Sequence, residues 1–318
     1  MNYKLFGTNT GLKASEAILG AATFGTRKGY GADREEARKI FHAYVEAGGN
    51  FIDTADRYQL GESEELIGQF IGNQRSNFIL STKYTQSAEA NPSLSNFGNH
   101  RKAMRQGVEA SLKRLNTDYI DIYMPHFDDG ITPLDEIVRC LEDLVSSGKI
   151  LYTGVANFPA WKTAVIGNTT RLAANQLEYN LLQRTAEREL IPMGNQFGLG
   201  TMAYSPLAGG ILTGKYRKGE TGRINLTADY QENEFTRKIV DRLFILAEEL
   251  EATPGQVAFA WVLSKNVFPI IGARSVDHVT ESIKGLSLQL SPEQLEQLDN
   301  LSEISMGYPH DLLATVQG

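Results

Sequence analysis

The sequence contains a single cysteine, Cys140, among 318 residues, so no disulfide can form within the chain. No apolar run approaches the roughly 18 residues that a membrane span needs, and we expect no membrane partner. The first residues lack a charged segment followed by an apolar one, so we expect no secretory signal and a cytoplasmic protein. Basic side chains number 31 against 38 acidic ones, and the net charge of −7 argues against a nucleic-acid partner. The composition leaves the oligomeric state open.

The chain does contain a regular alternation of two kinds of segment. Short apolar runs of strand length alternate with longer stretches in which apolar residues recur three and four positions apart, the period of an amphipathic helix. Strands that alternate with helices predict a parallel sheet, and eight such units predict a closed (β/α)8 TIM barrel. The predicted strands are 18–24, 50–52, 78–82, 119–124, 151–155, 173–177, 201–203 and 268–271, and the predicted helices are 35–46, 62–71, 101–115, 133–147, 186–196, 235–250, 254–264, 277–286 and 292–301.

Three segments stand outside this alternation. Residues 3–6 and 12–14 flank a turn-rich stretch and predict an N-terminal β-hairpin, which we place at the bottom of the barrel. Segments 84–99 and 205–230 are too long for ordinary strand-to-helix connections. Both follow predicted strands, so we expect functional loops at the C-terminal face, where such barrels keep their active sites. No linker interrupts the pattern, which predicts one domain over residues 1–318.

One tract imitates a dinucleotide-binding motif. Residues 198–203, GLGTMA, fit the pattern G-x-G-x-x-A. That pattern binds a pyrophosphate only where it follows a strand and opens a helix. Here it precedes a predicted strand, so we interpret the glycines as the turn into that strand.

Four polar residues stand at or just after the ends of three successive predicted strands. Asp53 ends the second strand, Tyr58 lies five residues further in the same loop, and Lys83 and His126 end the next two. Neighbouring strand ends meet at one rim of a barrel, so these side chains can converge. An ammonium favours the phenolate of a nearby tyrosine, a carboxylate holds that ammonium in place, and a neutral imidazole polarises a carbonyl. The set suits proton donation to a carbonyl oxygen and lacks a nucleophile for acyl transfer.

These residues resemble the catalytic tetrad of the aldo-keto reductases. The resemblance runs from about Leu5 to Leu286, and its motifs occur in the family's order. Within the family, the chain looks similar to the bacterial reductases related to the potassium-channel β subunits. The similar tracts are GNFIDTAD at 49–56, GESE at 61–64, DYID at 118–121, GVANF at 154–158, NQ at 175–176, YSPLAGG at 204–210 and GAR at 272–274.

The resemblance implies an NADPH-dependent oxidoreductase that reduces aldehydes or ketones to alcohols by hydride transfer. Tyr58 would donate the proton, Lys83 and Asp53 would tune it, and His126 would orient the carbonyl. A guanidinium pairs well with a phosphate, and Arg274 is therefore the reason for preferring NADPH. The implied cofactor contacts are Thr23 and Phe24 near the nicotinamide ribose, Asp53, Asn157, Gln176 and Tyr204 around the nicotinamide, Ser205, Leu207, Gly209 and Lys215 along the pyrophosphate, and Gly272, Arg274, His278 and Ser282 toward the 2′-phosphate and adenine.

The chain departs from the family pattern at a few of these positions. Ala156 replaces the usual serine before the asparagine, which removes one hydroxyl from the carboxamide site. His278 and Ser282 stand where the family often has Gln and Asn, so the adenine contacts are less well defined than the tetrad. The physiological substrate does not follow from the residues, but apolar or aromatic carbonyl compounds fit a pocket walled by Phe24, Tyr58, Tyr84, His126 and Phe127.

Two other functions are compatible with parts of the pattern. A metal-dependent barrel hydrolase would use Asp53, Asp56, His126, Asp128 and Asp129, but the five histidines are scattered and no pair of them ends a strand. We therefore expect no metal. A cofactor-sensing regulatory or binding protein with slow turnover would keep the cofactor residues, and only turnover distinguishes it from a reductase.

Overall fold

Eight parallel strands form a closed barrel in the computed structural model, which describes residues 1–222, 224 and 230–317. The strands pair in chain order, and the last pairs with the first, so that the barrel itself has no open edge. This confirms the predicted TIM barrel and all eight predicted strands. The barrel strands are β3 (Ile18–Gly20), β4 (Phe51–Asp53), β5 (Ile79–Tyr84), β6 (Ile120–Pro125), β7 (Ile150–Ala156), β8 (Leu172–Glu178), β9 (Gly200–Tyr204) and β10 (Phe268–Gly272).

The barrel strands are apolar along their whole length because both of their faces are buried. Phe51 packs inside the barrel with Ile122 and Met202, whereas its neighbour Ile52 belongs to the layer between strands and helices. Successive side chains of a strand point to opposite faces, so one short run supplies both layers. Near the C-terminal ends of the strands, the inward-facing side chains are polar. The candidate functional site lies at this end of the barrel.

The predicted hairpin closes the bottom of the barrel. It consists of β1 (Tyr3–Leu5) and β2 (Lys13–Ser15), which pair antiparallel. The Phe6 side chain is fully buried, with its ring centroid 5.2 Å from that of Phe51 and 5.0 Å from that of Phe268. A Cβ atom on Gly200 would stand only 2.5 Å from the Phe6 ring, so the glycine in the GLGTMA tract makes room for this plug.

Helices follow the barrel strands and cover the outside of the barrel. Several begin at the capping residues that the sequence indicates: Asp33 accepts a hydrogen bond from the Glu36 N–H, and Thr253 forms a capping box ahead of Pro254. The helices are α1 (Arg34–Glu46), α2 (Glu62–Ile71), α3 (Arg101–Leu115), α4 (Leu134–Ser146), α5 (Ala160–Thr169), α6 (Leu190–Gln196), α7 (Glu234–Glu249), α8 (Pro254–Ser264), α9 (Val276–Leu286), α10 (Pro292–Leu301) and α11 (His310–Gln317).

The sequence pattern was incomplete in three places. It missed α5, whose apolar residues do not form one stripe, so that Trp161 and Val165 are exposed although Ile166 is buried. It missed α11 at the C-terminus as well. The predicted helix 186–196 is divided, because a 3-10 turn at Thr185–Glu187 precedes α6. No helix among the described residues has both the length and the apolar composition to cross a bilayer.

Candidate active site

Three neighbouring strands place the four predicted catalytic residues at one rim of the barrel. Asp53 is the last residue of β4, Lys83 lies near the end of β5, and His126 directly follows β6. Tyr58 begins a short turn between β4 and α2. The parallel pairing of β4 with β5 and of β5 with β6 brings these strand ends together. The structure therefore assembles residues that are up to 73 positions apart (126 − 53) in the chain.

Asp53 and Lys83 form a buried ion pair. The Lys83 ammonium donates to Asp53 Oδ1 at 2.8 Å, to Asp53 Oδ2 at 2.7 Å and to the Thr54 carbonyl at 2.7 Å. Asp53 Oδ1 also accepts from Ser81 Oγ at 2.7 Å and from Gln176 Nε2 at 3.0 Å. The Lys83 side chain is fully buried and Asp53 is 2% exposed. Each charge is thus surrounded by partners, which a buried ion pair requires.

The Lys83 ammonium is also directed at Tyr58. Its Nζ atom lies 5.2 Å from the centroid of the Tyr58 ring. Burial disfavours the ammonium, but the charge of Asp53 and the interactions with Asp53 and the Tyr58 hydroxyl outweigh it, so the pKa of Lys83 is raised. Lys83 therefore stays protonated at neutral pH and holds a positive charge beside the phenol.

His126 completes the cluster as a neutral imidazole. Its ring meets the Tyr58 ring edge to face, with the centroids 5.5 Å apart and the planes at 78°. Burial, together with the charges of Lys83 and Lys28, lowers the pKa of His126 to about 3. A neutral imidazole carries one N–H donor and one acceptor. Its Nδ1 atom is buried and has no hydrogen-bond partner among the described residues.

The turn that carries Tyr58 has an unusual backbone. Gln59 and Leu60 both have left-handed conformations, with φ of 49° and 56°, before Gly61 at 87°. Such conformations cost about 1–3 kcal/mol each in non-glycine residues and persist only where the surroundings fix them. Gln59 is fully buried, and its Oε1 atom accepts from the Lys28 backbone N–H at 2.9 Å. Sequence reasoning missed Gln59 as the anchor of this turn, because no motif marks it.

The predicted nicotinamide-binding residues lie at the same rim. Asn157 donates from Nδ2 to the His126 carbonyl at 2.9 Å and accepts from the Tyr204 hydroxyl at 3.0 Å. Gln176 reaches Asp53, as described above. Thr23 donates to the Ala273 carbonyl at 2.5 Å, which joins the ends of β3 and β10. These contacts connect the predicted carboxamide, ring and ribose positions to the catalytic cluster.

A second group of predicted cofactor residues forms a cationic cluster at the start of α9. Lys215, Arg274 and His278 come together there, and the backbone N–H of Arg274 donates to His278 Nδ1 at 3.3 Å. Burial and the Arg274 charge lower the pKa of Lys215, while burial and the charges of Lys215 and Arg274 lower that of His278. His278 is therefore neutral at neutral pH, and the net effect of neighbouring charges on Lys215 is repulsion by Arg274. A helix N-terminus favours an anion, so the cluster suits a phosphate.

The remaining predicted cofactor residues lie between these two groups. Ser205, Leu207 and Gly209 belong to the turns that follow β9, and both Ser205 and Gly209 have positive φ. Gly272 is exposed at the end of β10. Ser282 is buried on α9, where its hydroxyl donates to the His278 carbonyl at 3.0 Å. Residues 223 and 225–229 of the predicted loop 205–230 lie outside the described residues.

Comparison with known proteins identifies the family. The aldo/keto reductase family model matches residues 16–303. The chain belongs to the aldo/keto reductase family. It is 36% identical to "Aryl-alcohol dehydrogenase [NADP(+)]" of Phanerodontia chrysosporium, over 94% of the chain and 86% of that protein. It is 32% identical both to the putative aryl-alcohol dehydrogenase AAD14 of Saccharomyces cerevisiae (98% of the chain, 89% of that protein) and to the norsolorinic acid reductase of Aspergillus flavus (98% and 84%).

Membership in this family makes the protein an oxidoreductase that acts on carbonyl groups and alcohols. The predicted family is confirmed. Its finer placement near the potassium-channel β subunits stays a prediction, because the relatives named above are fungal aryl-alcohol dehydrogenases and a norsolorinic acid reductase.

Two residues predicted to wall the substrate pocket of this aldo/keto reductase are buried in the structure. Phe24 is fully buried and packs against Phe70 of α2, with the centroids 6.3 Å apart. Tyr84 is 1% exposed and stacks on Tyr123 at 5.3 Å. Lys83 points into the barrel, so the next side chain along β5 must point outward, toward the helices. Both side chains thus pack in the layer between strands and helices, and their role as pocket walls stays a prediction.

Phe127 lies beside the catalytic cluster. It is partly exposed, and its ring centroid is 6.3 Å from that of His126 and 6.4 Å from that of the exposed Phe97. Phe97 comes from the long loop between β5 and α3, which Asn99 ties to the Phe127 carbonyl by a 2.8 Å hydrogen bond. The loop thus contributes an aromatic side chain next to Phe127 at the C-terminal face.

The acidic residues after His126 are engaged elsewhere. Asp128 pairs with Lys162 at 2.6 Å, and Asp129 accepts from the Thr132 hydroxyl and the Asn99 N–H, both at 2.7 Å. Within residues 1–222, 224 and 230–317, no group of three His, Cys, Asp or Glu side chains is placed to hold a metal ion. The geometry gives the hydrolase alternative no observation in its favour.

Proposed function

We propose that this chain is an NADPH-dependent reductase that converts aldehydes or ketones to alcohols, with Tyr58 as the proton donor. The observation that carries the proposal is the convergence of four groups: a phenol, a fully buried ammonium, a carboxylate and a neutral imidazole. The protein presents the phenol and the imidazole together, so a substrate carbonyl oxygen can accept hydrogen bonds from both. Bound NADPH supplies the hydride.

Each protein group has one task in this mechanism. As negative charge develops on the carbonyl oxygen, the Tyr58 hydroxyl gives up its proton to that oxygen. The Lys83 ammonium stabilises the phenolate that remains, and Asp53 keeps the ammonium charged and directed at Tyr58. His126 donates an N–H to the same oxygen and fixes its position. The neutral state of His126 suits this task, because an imidazolium would compete with Tyr58 as the acid.

The residues present fit NADPH. Asn157 and Gln176 offer side-chain amides for the carboxamide, and Tyr204 offers a ring for stacking on the nicotinamide. At the other end, Lys215 and Arg274 offer positive charge to a 2′-phosphate, which NADH lacks, and the neutral His278 lies beside them. The NADP(+) in the name of the Phanerodontia relative supports the same choice.

We propose aromatic aldehydes or ketones as the substrate class. Phe127 and Phe97 form an aromatic surface next to His126 and Tyr58, and such a surface favours a flat ring beside the reacting carbonyl. The names of the aryl-alcohol dehydrogenase relatives point to the same class. The proposed partner is a small-molecule substrate, and we propose no nucleic-acid partner. The cytoplasmic location stays a prediction.

The test follows the absorbance of NADPH at 340 nm with purified protein and a panel of aromatic aldehydes, with NADH in parallel. We expect consumption that requires both the protein and the aldehyde, and that is faster with NADPH. Tight NADPH binding without consumption of any aldehyde would contradict the proposal and favour the cofactor-sensing alternative. Equal rates with NADH would contradict the role of the cationic cluster.

A further inference from the structure

A buried charge cluster with a deficit of positive charge lies behind the Tyr58 turn, outside the barrel. It consists of Asp56 from that turn, Glu64 of α2 and Arg114 of α3. Glu64 is fully buried, and its two oxygens accept from Arg114 Nε at 2.7 Å and from Thr82 Oγ1 at 2.6 Å. Arg114 therefore neutralises Glu64. Arg114 also attracts Asp56, but two carboxylates share this one guanidinium, and burial and Glu64 outweigh its effect on Asp56.

Asp56 is only partly satisfied by hydrogen bonds. It is 2% exposed, and its carboxylate interacts with the backbone N–H groups of Arg57 and Ser87. Its Oδ1 atom is buried and has no partner within the part of the chain that the structure describes. Lys28, in a neighbouring loop, is close enough for the charge of Asp56 to oppose the effect of burial, which lowers the pKa of Lys28, but the two side chains form no hydrogen bond. A buried carboxylate oxygen without a donor is unfavourable unless a proton or a cation joins it.

The Asp56 side chain lines a cavity. The cavity has a volume of about 240 Å³ and lies between α3 and the loop that follows β5. Ala103 and Ala110 of α3 and Ala88 of the loop leave room there, while Asn96 and Gln106 add amide groups. A neighbouring cavity of about 610 Å³ shares Ala88, Ala110 and Arg114 with it. The space is therefore large enough for a small organic molecule with a short carbon chain.

We propose that this cavity binds a small organic cation, an alkyl amine or alkyl guanidine, whose N–H groups pair with Asp56 while its carbon chain lies along Ala88 and Ala110. A divalent metal ion suits the site poorly, because both oxygens of Glu64 already accept hydrogen bonds. Glu89 also lines the cavity, but no three acidic side chains among the described residues are placed to hold a metal ion. An organic cation supplies both the missing charge and the missing donor. The proposal does not depend on the reductase activity.

The site lies on the reverse side of the catalytic turn. The Asp56 N–H donates to the Lys83 carbonyl at 3.0 Å, and the Tyr58 N–H donates to the Ala55 carbonyl at 3.1 Å. A ligand held by Asp56 would thus bind to a residue that lies two positions before Tyr58 in the chain. The barrel separates it from the substrate, because Asp53 faces inward and Asp56 faces the helices.

The test is calorimetric titration of the purified protein, without cofactor, with n-butylguanidinium chloride at pH 8. We expect saturable 1:1 binding, and at least tenfold weaker binding of n-butanol, which has the same carbon chain without the charge. Burial and Glu64 raise the pKa of Asp56 to about 7, so a proton competes with the ligand. The alkyl guanidinium stays charged throughout, so affinity should fall roughly tenfold between pH 8 and pH 6.

Two variants decide between this site and nonspecific binding. Asp56→Asn keeps the shape and removes the charge, and should weaken binding at least tenfold. Ala110→Leu fills the cavity without touching Asp56 and should have a similar effect. Asp118→Asn makes the same charge change at an exposed position and should leave the affinity unchanged. Absence of saturable binding at pH 8, or equal affinity of the parent and Asp56→Asn, would overturn the proposal. If Ala110→Leu does not fold, Asp56→Asn decides alone.

Discussion

Two aspartates three residues apart, Asp53 and Asp56, are equally buried but have opposite surroundings. Asp53 faces into the barrel, where Lys83, Ser81 and Gln176 donate to its oxygens. Asp56 faces outward, where Glu64 repels it and Oδ1 lacks a partner. Burial alone therefore does not determine what a carboxylate contributes to the stability of the protein. The partners do, and removing the two charges should have effects of opposite sign.

The largest effect on stability is expected for Asp53→Asn. This change leaves the Lys83 ammonium buried without its counter-charge, and breaking a buried pair in this way costs about 3–5 kcal/mol. Carbonyl reduction should be lost as well, because Lys83 is no longer held against Tyr58. Urea denaturation at pH 7 measures the first effect. The double variant Asp53→Asn/Lys83→Met should recover most of the stability but none of the activity, and no recovery would argue against the ion pair as the cause.

Asp56→Asn should stabilise the protein, increasingly so at higher pH. The folded protein keeps the Asp56 proton up to about pH 7, while the unfolded chain loses it near pH 4, so the parent loses stability as the pH rises between these values. The asparagine removes that dependence. We expect the stability difference between variant and parent to grow by about 2–3 kcal/mol from pH 5 to pH 8.

Denaturation curves of both proteins at pH 5 and pH 8 check this, with Asp118→Asn as the exposed control. A constant difference between the Asp56→Asn variant and the parent over that range would show that Asp56 is ionised throughout.

The cationic cluster shows the same principle with the charge reversed. Lys215 and Arg274 lie together, and the effect of Arg274 on the pKa of Lys215 outweighs the opposing effect of Glu220, so an anion should be bound there. Arg274→Ala should weaken NADPH binding by about 1.5–3 kcal/mol, the usual range for a hydrogen bond to a charged group, and NADH binding much less. Fluorescence titration of both cofactors measures this. A uniform loss for NADPH and NADH would remove the assignment to the 2′-phosphate.

The smallest effect is expected in the pH dependence of kcat/KM, to which His126 should contribute no titration. Its pKa of about 3 lies far below the pH range in which an ordinary histidine titrates, so the imidazole is neutral throughout pH 5–8. The parameter kcat/KM of the Asp56→Asn variant should therefore show no acid limb near pH 6.5. That variant is used because Asp56 itself titrates near pH 7. A limb at pH 6.5 that disappears in Asp56→Asn/His126→Asn would show that His126 is protonated there.

The sequence predicted those parts of the molecule that depend on local patterns. All eight barrel strands and the positions of Asp53, Lys83 and His126 follow from the alternation of apolar runs and from the residues that end them. Ser81 could have been found in the same way, because it lies two residues before Lys83 and so faces the same side of β5.

The features that the sequence did not predict depend on long-range packing. Phe24 and Tyr84 look like pocket residues from their place after strands, but their direction depends on strand alternation and on the helices behind them. The deficit of charge around Asp56 depends on Arg114, which lies 58 positions away (114 − 56) and approaches only because α2 and α3 pack side by side. The left-handed turn at Gln59 has no local signal in the sequence.

The role of Tyr58 is tested most directly by a single-turnover measurement on Tyr58→Phe. The protein is saturated with NADPH and mixed with an aromatic aldehyde, and the absorbance at 340 nm follows hydride transfer. The change removes only the hydroxyl that Lys83 faces, so NADPH affinity should remain within about twofold of the parent, while the rate should fall by about 10²–10⁴-fold, the usual contribution of a general acid. Hydride transfer at the parental rate, with NADPH bound equally well, would contradict Tyr58 as the proton donor.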